Sequence, residues 1–168
     1  MIDPTAPEHA AVLRAMARSV VDTNRYMVLG TVQDDGLPRL SPVYYTHDAY
    51  RTFYWVSEPG ARHSRNVRLR PAISLVIFDS STLPGTSEAL YLSATARQIP
   101  DGELPAECGA AFRGAGGGAR PFTPDELCDG AELRLFRADA ATYEVHIRGG
   151  HPTLGAGIDK RVPVPDPI

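Results

Sequence analysis

The chain has 168 residues, room for one domain with its own core, and an apolar fraction of 43% that is ordinary for a globular protein. Its formal net charge of −3 gives no overall basic field for nucleic acid, and no apolar run approaches a membrane span. Met1-Ile2-Asp3-Pro4 lacks the basic head and apolar stretch of a secretion signal, so a cytoplasmic location is expected, with Cys108 and Cys128 as free thiols and a disulfide left open until distances are known.

Pro7 to Asn24 reads as one amphipathic helix: Val12, Leu13, Met16 and Val20 recur at helical spacing, and Arg14 and Arg18 face away. Tyr26–Val32 is a first strand. Asp34-Asp35-Gly36 is a hairpin turn, because Asp-Gly tolerates positive φ. A second strand runs from Pro38 to Thr46, and its two prolines mark an edge or an irregular ladder. Asp48-Ala49-Tyr50 turns the chain into a third strand, Thr52–Ser57. Ala72–Phe78 is nearly all apolar and is expected to be central.

After the polar loop Asp79–Glu88, Ala89–Ile99 is a fifth strand whose small Ala94 and Ala96 suit a crowded, curved sheet. A short helix from Asp101 to Phe112 runs into Gly114–Gly118. That run follows a helix rather than a strand, so it lacks the context of a dinucleotide-binding turn and reads as a loop. Thr123-Pro124-Asp125-Glu126 carries the signature of a helix start. Ala131–Arg137 and Ala141–Arg148 alternate and are read as sixth and seventh strands, and the proline-rich Val162–Ile168 as an extended surface tail. The sum is a mainly β single domain: six or seven antiparallel strands in a small barrel with short peripheral helices.

One stretch carries chemistry. Trp55-Val56-Ser57-Glu58-Pro59-Gly60 closes the third strand in a tight turn, and Ala61-Arg62-His63-Ser64-Arg65-Asn66 opens a basic helix that Pro71 stops. A helix N-terminus offers free N–H groups and partial positive charge, and arginine adds a fork suited to phosphate oxygens. Two readings stand on these residues alone: a seat for a cofactor phosphate, and an ordinary solvated basic helix start. His47, His63, His146 and His151 show no ligand spacing on any one element, so no metal site is expected. Tyr44, Tyr45 and Trp55 suit stacking on a ring, but alternation sends some of them inward, and Trp55 is assigned to the core or a dimer interface. Ser41 lacks a nucleophile elbow and an assigned base.

The sequence of strand, Asp-Gly hairpin, Pro-containing strand, third strand and Ser-x-x-Gly-x-Arg-His on a helix resembles the pyridoxamine 5′-phosphate oxidase-like family of FMN-binding split β-barrels. The resemblance runs from about Arg14 to Arg161 and is most specific from Gly36-Leu37-Pro38 through Val76. It implies a homodimer with FMN in a shared groove, working on a small molecule, without nucleic acid or membrane. It places Ser41, Val43 and Tyr44 on the strand along the flavin edge, Val56 and Ser57 against the ring and ribityl chain, Arg62 and His63 at the phosphate, and Ile147 on the closing strand before Arg148-Gly149-Gly150. The family's oxidases often carry Arg where this chain has Ser41, Lys where it has Thr46 and His63, and Trp where it has Ile147. Those departures argue against pyridoxamine phosphate as substrate. They leave open a deazaflavin-dependent reductase on the same fold, or a flavin- or heme-binding protein without turnover.

Overall fold

A computed structural model describes residues 2–113, 120–165 and 168. In chain order its elements are α1 (Pro7–Thr23), β1 (Tyr26–Val32), β2 (Pro38–Tyr44), β3 (Thr46–Asp48), β4 (Thr52–Ser57), α2 (Arg62–Leu69), β5 (Ala72–Phe78) and β6 (Ala89–Gln98). There follow a 3-10 turn (Asp101–Glu103), α3 (Leu104–Phe112), a second 3-10 turn (Pro124–Glu126), β7 (Arg134–Ile147) and β8 (Lys160–Pro163). The strands form one curled antiparallel sheet in the order β2-β1-β5-β6-β7-β4-β3, and β8 pairs β7 off that path. This is the expected split barrel with peripheral helices.

Strand alternation builds the inner face. In β1, Met27, Leu29 and Thr31 are buried while Tyr26, Val28, Gly30 and Val32 look outward. The stripe Leu13, Met16, Ala17 and Val20 puts α1 in the main core, over β5, β6 and β7. Trp55 is in that core, stacked on Phe136 with centroids 5.5 Å apart. Tyr54 and Leu135, on the other side of the same ladder, join Ile99, Leu104, Cys108 and Leu127 in a second cluster under α3. Ala94 and Ala96 are buried. Cys108 and Cys128 are free thiols.

Three sequence expectations are corrected. The expected sixth and seventh strands are one strand, β7. Ser93 of β6 pairs Thr142 while Ala94 pairs Ala140, so Ala141 bulges out of the ladder. The bulge changes the phase of alternation: Phe136, Ala138 and Ala140 point inward before it, Tyr143, Val145 and Ile147 after it. The tail is not on the surface. Val162 sits in β8 opposite Val145, Val164 donates its N–H to the Tyr143 carbonyl at 2.9 Å, and Val162, Val164 and Ile168 are buried in the main core. The second strand ends at Tyr44, where the chain turns its ladder to β4 and Thr46 faces Tyr54.

The Thr123 signature is present as a capping box on a 3-10 turn rather than a longer helix. The Gly114–Gly118 loop lies outside the described residues.

Candidate functional site

The corner between β4 and α2 is fixed from below. Asn66, on the inner side of α2, donates to Thr31 Oγ1 of β1 at 3.0 Å, and both side chains are buried. With Val67 buried beside it, this bond sets the rotation of α2 on the sheet. His63 is one turn earlier than Asn66 and therefore also points inward. Its Nε2 lies 2.8 Å from Ser57 Oγ, and Ser64 Oγ, fully buried, donates to Ser57 Oγ at 3.4 Å. Burial pushes the His63 imidazole below its ordinary pKa, and the positive charge of Arg39 pushes it the same way. His63 is thus neutral at neutral pH.

Arg62 points elsewhere, because successive helical residues are about 100° apart. Its guanidinium donates to Gln33 Oε1 at 3.3 Å, at the start of the β1–β2 turn. Arg62, Arg65 and Arg68 then line a cleft of about 450 Å³ with Asp34 and Asp35 across from them. The two residues read as a pair from the sequence therefore serve two sides of one helix: His63 the Ser57 corner, Arg62 the open cleft.

Arg39 is the residue that sequence reasoning missed. It stands two positions before Ser41 on the same side of β2, half-buried, and its Nε is closed to solvent with no hydrogen-bond partner among the described residues. Its charge is felt at His63. An arginine thus stands on the Ser41 side of β2, one strand repeat before Ser41. Alternation was the signal that would have found it.

The donor set at the corner fits the phosphate end of a flavin nucleotide. The first turn of α2 carries no acidic residue, and its N-cap, Ala61, supplies no side-chain cap, so the free N–H groups have no resident acceptor. Around them stand a serine pair, an imidazole and a guanidinium with an unused N–H.

Ser41 and Val43 point inward opposite Leu29 and Met27, Ser41 buried and Val43 packed on the main core, so they offer a ligand only backbone. Tyr44 points to the other side, edge-on to Tyr26 at 6.1 Å. With Val56 it walls an apolar pocket of about 230 Å³. Ile147 does not join this cluster. It is 1% exposed in the main core, at the opposite end of β7 from Leu135, the partner of Val56.

A curled antiparallel sheet with helices at its periphery defines the class: a split β-barrel. The chain belongs to the pyridoxamine 5′-phosphate oxidase family, whose sequence model matches residues 13–127. Solved structures of the same fold include a heme binding protein from Mycobacterium smegmatis, 19% identical with a TM-score of 0.65, matched over 97% of this chain and 60% of that one. The chain thus spans well under two thirds of that relative. They also include the heme storage protein HutZ from Vibrio cholerae, 18% identical, TM-score 0.59, over 86% of this chain and 98% of that one. An F420 reductase is 18% identical, with a TM-score of 0.53 over 75% and 94% of the two chains. At these identities the likeness is one of fold. No curated protein matches the sequence significantly. Among the described residues, no helix is long and apolar enough to cross a membrane.

Proposed function

We propose that the protein binds FMN and acts as an oxidoreductase on a small organic molecule. The observation that carries this reading is the corner of Arg39, Ser57, His63 and Ser64 at an uncapped helix start, with the Arg39 Nε buried and unused. Such a set of donors is suited to a phosphate: none of the four side chains is a carboxylate, although that of Glu58 stands beside Gly60 in the turn before α2. Arg62, held by Gln33 at 3.3 Å on the cleft side, is the first residue of α2 and would have to turn from Gln33 to join them. When bound, FMN supplies the hydride chemistry itself. The chain's part is to grip the phosphate, lay β2 backbone and the Val56-Ser57 strand end along the ring, and keep water off it.

The flavin ring needs a second wall. The pocket of about 230 Å³ at Val56 is smaller than the ~300 Å³ at which cofactor-sized sites begin, so the ring lies outside it, against the strand end. A second copy of the chain is the wall we propose, with the groove shared in a twofold dimer. The exposed outer face of β2 and β1 supports it: Leu40 is 71% and Tyr26 64% exposed there.

The test is titration of purified apoprotein with FMN. Arg62→Ala and Arg39→Gln are each expected to weaken binding by about 1.5–3 kcal/mol, the scale of a charge-assisted hydrogen bond. Unchanged affinity in both variants refutes the corner as phosphate site. Deazaflavin bound where FMN is refused, or heme bound in its place, would assign the same corner to another cofactor.

A further inference from the structure

The apolar pocket beside the corner has its own selectivity. It lies between the β3–β4 hairpin and the α3 side of the sheet, and its walls are mainly rings: Tyr44, Tyr54, Phe112 and Phe122. An apolar cavity of ~150 Å³ holds benzene. One of about 230 Å³ therefore has room for one or two fused rings.

Charge is excluded. The one cation on the wall among the described residues, Arg120, is committed twice: its Nη1 is 2.7 Å from Glu126 Oε1, and its guanidinium lies over the Phe122 ring at 4.3 Å. The Tyr54 hydroxyl is committed as well, donating to Glu107 Oε2 at 2.8 Å, so Tyr54 offers the pocket only its ring. A carboxylate entering here would lose its water with no free counter-charge.

The wall holds an unspent polar group in Thr46, which faces Tyr54 across the β3–β4 ladder and whose Oγ1 is buried with no hydrogen-bond partner among the described residues. A step between staggered χ1 wells redirects that hydroxyl. An unsatisfied buried hydroxyl gains a full hydrogen bond from any acceptor that reaches it.

We propose that this pocket binds an uncharged, planar aromatic molecule of one or two rings bearing a carbonyl-type oxygen, which accepts a hydrogen bond from the Thr46 hydroxyl. That this molecule is the substrate rests on the proposed flavin site next to Ser57; occupancy of the pocket does not.

Trp55 is the single tryptophan of the chain and stands between Tyr54 and Val56 of the pocket wall with its ring turned into the main core, so its indole N–H gives one cross-peak in a nitrogen-15 spectrum that reports changes at that wall from behind. The full-length protein is titrated with 1-indanone, indane and benzoate. A saturable shift of that peak with 1-indanone is expected, with indane about 2–10-fold weaker, the worth of one hydrogen bond, and benzoate weaker still. Thr46→Val is expected to erase the preference for the ketone over indane while keeping indane binding. Leu133→Phe, which fills the pocket from its rim, is expected to weaken all three.

The proposal is overturned if 1-indanone produces no saturable shift, if benzoate binds as tightly as the ketone, or if Thr46→Val keeps the ketone preference. Repeating the titration in Arg62→Ala separates the two sites. A ketone that binds there while FMN binding falls leaves both readings standing. A ketone that binds in a wild-type protein refusing FMN upholds the pocket and removes the flavin.

Discussion

Arg39 and His63 oppose one another in the corner, and that opposition has a consequence for pH. His63 is held neutral by burial and by the Arg39 charge. His47 is held below its ordinary pKa too, chiefly by burial, against the pull of Asp22 and Asp48. A histidine whose folded pKa lies below its unfolded value binds protons more readily when the chain unfolds. The stability that neutral His47 and His63 confer is therefore complete above the ordinary value of 6.5 and is lost as pH falls through the lower folded values. Thermal unfolding of apoprotein is expected to show a falling midpoint between about pH 7.5 and about pH 5.5, with a shallower fall in His63→Gln. A phosphate in the corner reverses the balance at His63, because it favours the charged ring, so FMN-loaded protein is expected to lose less over the same range. An equal fall with and without FMN would place the phosphate away from His63. The sequence offered Arg62 and His63 as one phosphate-binding pair; what it concealed was the 100° between them, and the charge that reaches His63 comes from a strand twenty-four residues upstream, at Arg39.

The elements most legible in the sequence were those with one period and clear punctuation. β1, β4 and β5 begin and end where read, since each is a single alternating or apolar run bounded by turn residues. β7 was read as two strands because a bulge at Ala141 inverts the alternation, and a bulge leaves no mark in composition. β8 was read as a surface tail because Pro163, Pro165 and Pro167 outweighed Val162 and Val164, whose spacing of two is the buried strand's own signature. Between these two strands the chain makes a tight loop. Gly157 donates its N–H to the Gly149 carbonyl at 3.0 Å, and Asp159 accepts from the Gly149 N–H at 2.8 Å while facing His146 Nε2 at 3.3 Å. A Cβ on Gly149 would stand 2.6 Å from the Gly157 carbonyl carbon, backbone that cannot swing aside. Gly149→Ala is accordingly expected to cost about 1–3 kcal/mol by chemical denaturation, as overpacking does. Gly150→Ala, where a Cβ meets nothing within 4 Å, is the control and is expected to be near neutral.

At the scale of the whole molecule, the inner face of the sheet is covered throughout, and the outer face is covered by α3 at β4 and β7 but bare at β1 and β2. The inner side carries α1 and the main core. On the outer side, Val28 faces Pro42 and Gly30 faces Leu40, with Val76 beside Val28 on β5, and Tyr26, Val32 and Phe78 are exposed at the edges of the same area. Polar residues are what an outward face of an antiparallel sheet ordinarily shows to water. An apolar area of this kind supports the dimer interface proposed above. Its position next to β2, the strand whose backbone would border the flavin, is what a shared groove requires. Native mass spectrometry is expected to give a species of twice the chain mass. Leu40→Asp, which puts a charge at the centre of the bare face without touching the inner core, is expected to give monomer. If the partner completes the flavin site, that monomer loses FMN affinity although Arg39, Ser57, Arg62 and His63 are all intact. Arg62→Ala, by contrast, loses affinity and stays dimeric. A Leu40→Asp monomer that binds FMN as tightly as the wild type would mean that one subunit holds the cofactor unaided, and the bare face would then have to serve some other partner.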